Sequence, residues 1–379
     1  MRRTIEVGLL LSTEGTYKSV GRNALAGATH ALAQINGNPG YDFVLQATHR
    51  NPRGVLHRYS EGAVELMQSG VRHIFGTTTS ASRKEIMPDL EQNAGLLWYA
   101  CPYEGFESSE HVLYLGGCPN QTLIPLLRYA LQTFGKRAVL LGSNYSWGWE
   151  SNRVAREVLE VAGAEVLLER YIHLDATPFA ELIQTLLAER PAFILNNLIG
   201  KSSYVFLQML DEACHAIGWS LPVLSCNLTE AELSDIGELR SLRVLSCGPF
   251  FEEVAPAFSQ QQHMLHGVCP ISHFYTGMYV ALHLFARALD QCGSDDPEGI
   301  CRYVYDHPQD SVFGTLAISE RNNHSSQPCH IAELRAGRFV ILHSEARPLL
   351  ADPYLTATDL SEFQRLRTVA PAPRLRIVK

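Results

Sequence analysis

Short apolar runs alternate with longer amphipathic runs along most of this 379-residue chain. The run IEVGLLLS is followed by a helical pattern from Tyr17 to Ile35, and DFVLQATHR is followed by one from Val55 to Met67. Short apolar runs bounded by turn residues predict buried strands, whereas a period near 3.6 residues predicts helices. The repeated β-α-β-α order therefore predicts an α/β fold in which parallel sheets carry helices on both faces.

The pattern restarts after the segment HVLYLG, which predicts two doubly wound sheets in two domains. The other predicted helices are Ser80–Gln92, Gln121–Phe134, Glu150–Val161, Phe179–Ala188, Ser202–Ile217 and His273–Gln291. A β-rich region with the segments GTLAIS, HIAEL and RFVILH follows the last helix. We therefore expect the later chain to complete the first sheet and then the second. The basic, Pro-containing end RLRTVAPAPRLRIVK is open to two interpretations, a mobile end or a partner contact.

The charge of the chain restricts its partners. A formal net charge of -8 argues against direct nucleic-acid binding, and no segment approaches the ~18 apolar residues of a membrane-spanning helix. The start MRRTIEVGLLLSTEG is too short and too interrupted for the apolar part of a signal peptide, and a first strand explains it better. Nine Cys residues without a C-x-x-C motif favour reduced thiols. These features predict a cytoplasmic protein without direct nucleic-acid or membrane contact.

Polar and aromatic residues follow two predicted strands in the first half of the chain. The segment GTTTSASRKEIMP places Thr78 and Ser80 between a strand and a helix, and LLWYACPYEGFE places Tyr99, Cys101 and Pro102 after another strand. Ligands of open α/β sheets bind at the carboxyl ends of strands, so these residues are candidates for a binding site. Capping of the helix by Ser80 is a simpler explanation that does not exclude binding.

Two later segments repeat this arrangement. GSNYSWGWESN contains Tyr145 and Trp147 after a predicted strand, and LSCNLTEAEL contains Asn227 and Leu228 after another. Aromatic rings in such a loop are explained either by packing or by closure over a small ligand. In the second segment, Thr229 begins a predicted capping box, which explains its polar residues without a ligand.

The enzyme signals are incomplete. Gly200, Lys201 and Ser202 form half of a phosphate-binding loop, but Leu195 occupies the position of its first glycine. Cys101 is a candidate nucleophile for hydrolysis of an amide or nitrile, although nothing nearby in the sequence marks a base or an oxyanion hole. The His residues show no metal-ligand spacing. The sequence therefore predicts no catalytic residue, no metal and no cofactor.

Several motifs together carry a resemblance to a known family. They are, in order, SASRKEIMP, PYEGFE, PNQ, GSNY with ESN, TEAE, NNHS and DPY. At these residues the chain resembles the type I periplasmic-binding-protein family, in its branch that binds urea and short-chain aliphatic amides, and the matches span nearly the whole chain. This resemblance implies two domains joined by crossover strands, with a ligand cleft between them. The predicted domains are residues 1–118 plus 250–322 and residues 119–249 plus 323–355, followed by a tail at 356–379.

The resemblance also implies a set of ligand-binding residues. Ser80 would bond the ligand, Tyr99 with the Cys101-Pro102 pair would wall the pocket from the first domain, and the second domain would contribute Tyr145 and Trp147. The chain departs from the amide-binding pattern at four places: Thr78 replaces an aromatic residue, Cys101 a Thr, Trp147 a Tyr, and Asn227 or Leu228 a Thr. These departures keep the binding class and leave open which amide, or urea, is bound.

In this family branch, the resemblance implies a cytoplasmic sensor of a small aliphatic amide. Cleft closure in such a sensor controls an RNA-binding antitermination protein of an amidase operon. The alternative is the substrate-binding protein of a urea or short-chain amide ABC transporter, and a Cys101-dependent amidase is a third hypothesis. Homo-oligomer formation stays open.

Overall fold

The computed structural model describes residues 2–366, and a five-stranded parallel sheet forms its first part. The strand order is β2-β1-β3-β4-β5. The elements in chain order are β1 (Arg3–Leu10), α1 (Lys18–Gly37), β2 (Phe43–Arg50), α2 (His57–Gln68), β3 (His73–Gly76), α3 (Ser80–Asn93), β4 (Leu96–Tyr99) and β5 (Val112–Tyr114).

A second sheet of seven strands follows, in the order β14-β13-β10-β9-β8-β6-β7. The elements that follow β5 in chain order are α4 (Leu123–Thr133), β6 (Arg137–Ser143), α5 (Ser146–Val161), β7 (Glu165–Ile172), α6 (Ala180–Glu189), β8 (Phe193–Asn197), α7 (Lys201–Ala216), β9 (Leu221–Ser225), α8 (Leu233–Ile236), β10 (Leu242–Gly248), α9 (Pro256–His266), α10 (His273–Cys292), α11 (Pro297–Asp306), β11 (Gln309–Ser311), β12 (Gly314–Leu316), β13 (His330–Arg335) and β14 (Arg338–Ser344). We call the part built on the first sheet the first lobe and the part built on the second sheet the second lobe.

The predicted alternation of strands and helices is confirmed. Each of the predicted helices has a counterpart with shifted ends, for example Lys18–Gly37 for the predicted Tyr17–Ile35. The helices α8, α9 and α11 were not predicted. The sequence QQQHMLH that ends α9 is mostly polar and lies on the surface. It therefore lacks the wide apolar stripe from which an amphipathic helix is predicted.

The expectation that the later chain completes the second sheet is confirmed, whereas the expectation that it first completes the first sheet is wrong for the described residues. β11 and β12 pair only with each other, while β13 and β14 join the second sheet in antiparallel orientation. The edge of the first sheet is instead covered by an irregular segment. The Tyr114 N–H donates to the Asn323 carbonyl at 2.8 Å, and the Ser325 N–H donates to the Tyr114 carbonyl at 3.0 Å. These bonds satisfy the free backbone groups of β5 without forming a further strand.

A close helix pair organises the core of the first lobe. α10 buries fourteen residues, and α1 faces it with small residues such as Ala24, Ala28 and Ala31. A Cβ atom at Gly27 would lie 2.1 Å from the Tyr275 carbonyl oxygen, so only glycine permits this approach. Although α10 is largely apolar, no helix within residues 2–366 is long and apolar enough to cross a membrane.

Within residues 2–366, three chain crossings join the two lobes. Cys118 belongs to the first apolar core and Leu123 to the second, which marks the first crossing. Cys247 and Phe250 mark the second, and the segment 318–329 forms the third. The domain boundaries predicted at residues 118, 249 and 322 stay predictions, since the residues in these crossings contact both lobes.

The end of the described chain packs against the second lobe. Residues Leu360–Arg365 form a short 3-10 helix whose Phe363 is fully buried in the core of that lobe. The guanidinium of Arg128 lies 5.8 Å from the centre of the Phe363 ring and pairs with Glu362. The predicted tail therefore begins as a packed segment, and its residues 367–379 lie outside the described residues.

We expect the Phe363→Ala substitution to lower the free energy of unfolding by about 3 kcal/mol, because it removes a fully buried ring and leaves a cavity. Urea denaturation followed by circular dichroism measures this loss. Leu350→Ala is the matched control, since Leu350 is 77% exposed, and we expect it to change stability by less than about 0.5 kcal/mol. Equal stability of the two variants would contradict the packing of this segment.

Candidate ligand-binding cleft

A small cavity lies between the lobes, where strands of both sheets end. Its volume is about 40 Å³. Its walls combine residues that follow β1, β3 and β4 with residues that follow β6, β8 and β9. The lining residues are Thr16, Tyr17, Val20, Thr78, Thr79, Ser80, Cys101, Pro102, Tyr145, Trp147, Ile199, Gly200, Tyr204, Asn227, Glu232 and Phe274.

Most of the predicted site residues meet at this cavity. The seven that line it are Thr78, Ser80, Cys101, Pro102, Tyr145, Trp147 and Asn227. The two others, Tyr99 and Leu228, are absent from its lining. The Leu228 side chain packs in an apolar core of the second lobe, and Tyr99 lies fully buried at the end of β4. Their roles in binding stay predictions, as do those of the seven.

The start of α3 explains why the Ser80 hydroxyl is free. The helix is capped by Thr79, whose Oγ1 accepts from the Ser82 N–H at 3.2 Å, while the Thr79 N–H donates to the Ser82 Oγ at 3.0 Å. The alternative explanation of Ser80 as the cap is therefore wrong, because Ser80 is the first helical residue. Its buried hydroxyl makes no hydrogen bond of standard geometry within the protein, and the Tyr99 hydroxyl is its near neighbour. It is therefore available to a molecule in the cavity.

The second lobe contributes a similar group. The Trp147 side chain is 5% exposed, lines the cavity, and its indole Nε1–H has no partner. An indole N–H is a donor only, so it requires an acceptor atom on whatever fills the cavity. Two residues that line the same small space, one from each lobe, thus each carry an unpartnered polar atom.

A buried arginine fixes the wall behind Ser80. The Arg83 guanidinium lies 4.7 Å from the ring centre of Tyr99 and 4.6 Å from that of Tyr103, and its Nε donates to Glu107 at 2.6 Å. Burial alone would lower the pKa of Arg83, but Tyr99 and Glu107 outweigh it, and the pKa is raised. Burial raises the pKa of Tyr99 well above its ordinary value, so its hydroxyl stays protonated. This cluster holds the Tyr99 ring in one position beside α3.

The environment of Cys101 argues against a nucleophilic role. Burial raises the pKa of its thiol to about 12, and its Sγ donates to the Thr77 carbonyl at 3.2 Å. The thiolate is the nucleophilic form of cysteine, and this site disfavours it. Lys84 does not activate Cys101 either, because its Nζ lies 3.1 Å from the buried carboxylate of Glu104 and pairs with it. Among the described residues, no group of three or more His, Cys, Asp or Glu side chains is placed to hold a metal.

Glu232 lines the cavity and is also the acidic residue of the capping box predicted to begin at Thr229. The box is present: the Thr229 N–H donates to Glu232 Oε2 at 3.1 Å, and Thr229 Oγ1 accepts from the Ala231 N–H. Glu232 Oε1 also accepts from the Tyr204 hydroxyl at 2.9 Å. Burial raises the pKa of Glu232 to about 8. Glu232 and Tyr204 come from different helices, and no sequence signal connects them.

Several contacts hold the lobes together around the cavity. The Thr16 hydroxyl in the first lobe donates to Asp175 Oδ2 in the second at 2.5 Å, and Ser19 pairs with Asp235 in the same way. On the other side, the Arg153 guanidinium lies 4.4 Å from the ring centre of Phe106. These contacts across the cleft describe a closed arrangement of the lobes.

We expect Ser80→Ala to leave the free energy of unfolding within about 0.5 kcal/mol of the wild type, because the lost hydroxyl has no partner in the protein. Thr79→Ala, one position earlier, should cost about 1 kcal/mol, since it removes the cap of α3. Urea denaturation of both variants without ligand measures the difference. A larger loss for Ser80→Ala than for Thr79→Ala would contradict this assignment of the cap.

Glu232 should make stability depend on pH. Its pKa is raised from 4.5 to about 8 by burial, so its contribution to stability is present below about pH 4.5 and is lost as the pH rises through about 8. Glu232→Gln keeps the capping geometry and removes the titration, so its free energy of unfolding should fall less than that of the wild type over this window. Thermal unfolding at several pH values measures this. Glu298→Gln is the control, because the Glu298 side chain is 80% exposed. The expectation would be contradicted if the stability of both variants depended on pH in the same way as that of the wild type.

The comparison with known structures matches this architecture. An ABC transporter solute-binding protein from Rhodopseudomonas palustris HaA2, solved with p-hydroxybenzoic acid, superposes with a TM-score of 0.82 at 19% identity, over 94% of this chain and all of that one (100%). A branched-chain amino acid transporter substrate-binding protein from Streptococcus pneumoniae, solved with isoleucine, has a TM-score of 0.77 at 15% identity, over 92% and 100% of the two chains.

Because these sequence identities are low, the two structures give evidence about the fold alone. They confirm the predicted fold class, two α/β lobes of the type I periplasmic-binding-protein fold. A family model described as "Periplasmic binding protein domain" matches residues 5–360, which is nearly all of the described chain. The chain therefore belongs to the periplasmic binding protein family.

Proposed function

We propose that this protein binds a small uncharged amide or urea in the cavity between its lobes, and that ligand-driven closure of the cleft is the step through which it acts. The observation that carries the proposal is a cavity of about 40 Å³ bordered by unpartnered polar groups of both lobes. Size, hydrogen-bonding capacity and affinity each restrict the ligand.

The size of the cavity favours a very small ligand. A single water occupies roughly 10–15 Å³ on this scale, so the cavity has room for about three waters. Acetamide and urea have four non-hydrogen atoms and are of this size. A benzoate ring or an isoleucine, the ligands of the two similar structures, would need a larger space.

The polar groups fit an amide. The Trp147 Nε1–H needs an acceptor, which a carbonyl oxygen supplies, and the Ser80 hydroxyl either donates or accepts. Glu232 also lines the cavity, and its oxygens, which already accept from the Thr229 N–H and the Tyr204 hydroxyl, keep further lone pairs for an N–H group of an amide or urea. Val20, Pro102 and Phe274 provide apolar surface for a short alkyl group.

The number of ligand atoms limits the affinity. Four non-hydrogen atoms at a ceiling of about 1.5 kcal/mol each give roughly 6 kcal/mol, which corresponds to a dissociation constant of tens of micromolar. A nanomolar constant would require a larger ligand than we propose.

The role of substrate-binding protein of an ABC transporter draws support from the comparisons. One of the two similar structures is the solute-binding protein of an ABC transporter in complex with p-hydroxybenzoic acid, and the other is the substrate-binding protein of a branched-chain amino acid transporter in complex with isoleucine. We propose this role, with a urea or short-chain amide as the cargo.

A cytoplasmic amide sensor that controls an RNA-binding antitermination protein is the second candidate. The cysteine content favours it, because nine Cys residues, an odd number, are typical of a reducing compartment rather than of an exported protein. The resemblance of the motifs to the amide-binding branch of the family also supports it.

Calorimetric titration tests the ligand. We expect acetamide, propionamide, formamide or urea to bind with a micromolar or weaker dissociation constant, and we expect p-hydroxybenzoate and isoleucine not to bind. Ser80→Ala should weaken binding about tenfold, the loss of one hydrogen bond. Binding of p-hydroxybenzoate or isoleucine with no response to the four small ligands would overturn the proposal.

Fractionation of the source cells separates the two roles. Recovery of the protein outside the cytoplasmic membrane would support the transporter role. Recovery from the cytoplasm, together with an RNA-binding protein that amide releases from the complex, would support the sensor.

Cleft closure should depend on Gly200. Its φ is +61°, and a Cβ atom there would lie 2.6 Å from the Thr16 carbonyl oxygen of the opposite lobe. We expect Gly200→Ala to keep the lobes apart and to weaken binding of the proposed ligand at least tenfold. Gly163→Ala is the matched control, because Gly163 has φ +63° and nothing within 4 Å of the added Cβ. Calorimetry and small-angle scattering measure affinity and compactness, and equal affinities in the two variants would contradict the role of this contact.

A further inference from the structure

Two buried thiols outside the cleft lie side by side. The Sγ of Cys247 is 3.6 Å from the Sγ of Cys329, although 82 positions separate the residues along the chain. Cys247 lies on β10, and Cys329 directly precedes β13, the antiparallel neighbour of β10. A disulfide has its sulfurs about 2.0 Å apart, so a movement of roughly 1.5 Å, within reach of side-chain rotation, would join them.

Both thiols stand at crossings between the lobes. Three residues after Cys247, Phe250 enters the core of the first lobe. Four residues before Cys329, the Ser325 N–H donates to the Tyr114 carbonyl at the edge of the first sheet. A bond between the two sulfurs would therefore link the second crossing to the third, at the point where each of them reaches the second lobe.

The folded protein shields the pair from solvent. Cys247 is 1% exposed and Cys329 is fully buried. The hydrogen bond with Cys329, together with burial, raises the pKa of Cys247 and keeps its thiol protonated. Since the thiolate is the reactive form, exchange with a disulfide reagent proceeds while the pair is exposed, during folding or opening of the structure.

We propose that Cys247 and Cys329 are a redox modification site, which forms an intramolecular disulfide when the chain folds in the presence of a low-molecular-weight disulfide. In the reaction two S–H bonds break and one S–S bond forms. The reagent, of the class of oxidised glutathione, takes up the two electrons and two protons and leaves as two thiols. In a reducing compartment the pair stays as thiols.

A third buried thiol nearby allows the specificity of the pairing to be tested. Cys226 is buried in the same core and lies near Cys329, so it is the natural competitor. The structure records a sulfur–sulfur contact only for Cys247 with Cys329 among the described residues. The identity of the bridged pair therefore distinguishes the proposal from unspecific oxidation.

The test uses the full chain with Cys292→Ser, which removes the exposed thiol and its intermolecular bridges. The protein is unfolded in urea, refolded in mixed oxidised and reduced glutathione, digested, and mapped by mass spectrometry. We expect one bridged peptide pair that contains Cys247 and Cys329, and a higher urea midpoint than for the reduced protein. Adding Cys329→Ser should abolish both effects. Adding Cys214→Ser, at another buried cysteine of the second lobe, should leave both intact.

Refolding exposes all thiols, so burial cannot explain a negative result. Two free thiols at Cys247 and Cys329 after refolding would overturn the proposal, and so would a bridge that uses Cys226. The assay contains no ligand. Its result is therefore independent of the proposed amide or urea binding.

Discussion

Closure of the cleft buries polar groups that the protein itself does not satisfy. The Ser80 hydroxyl and the Trp147 indole N–H come from opposite lobes, border one cavity, and have no partner in the protein. Each buried unsatisfied group costs about 1–3 kcal/mol, which opposes closure of the empty protein. A ligand that hydrogen-bonds both groups removes this cost only in the closed state. Such a difference between the two states is what a ligand needs to shift the equilibrium toward closure.

The surrounding structure keeps these groups in place. On the first lobe, the cap formed by Thr79 leaves Ser80 free, and the stack of Arg83 on Tyr99 fixes the wall behind it. Arg83 is fully buried, and its bonds to Glu107 compensate for the cost of removing its charge from water. The first lobe thus presents a rigid half-site. Under the proposed function, the movable part of the binding site is the distance between the lobes, and Gly200 allows their close approach at Thr16.

The crossings relate the cleft to the rest of the chain. Three chain crossings connect the lobes in the described structure, so under the proposed function any rearrangement of these segments affects both halves of the binding site. The pair of Cys247 and Cys329 lies at two of them, away from the cavity. Under the proposed function the ligand acts on the cleft, whereas the proposed disulfide acts on two of the crossings between the lobes. The two can be measured separately, one by calorimetry and the other by peptide mapping.

The sequence by itself determined the α/β class, the order of strands and helices, and the segments at strand ends where a ligand would bind. These features depend on local periodicity and on the position of polar residues after apolar runs, which a single chain displays directly. The tertiary structure decided which of these residues share one cavity: it brought Asn227 to the lining, placed Leu228 in a core, and added Glu232 and Tyr204 from separate helices. It also decided that no later strand of the described chain joins the first sheet, because strand pairing and the meeting of two lobes depend on contacts between residues far apart in sequence, which periodicity does not encode.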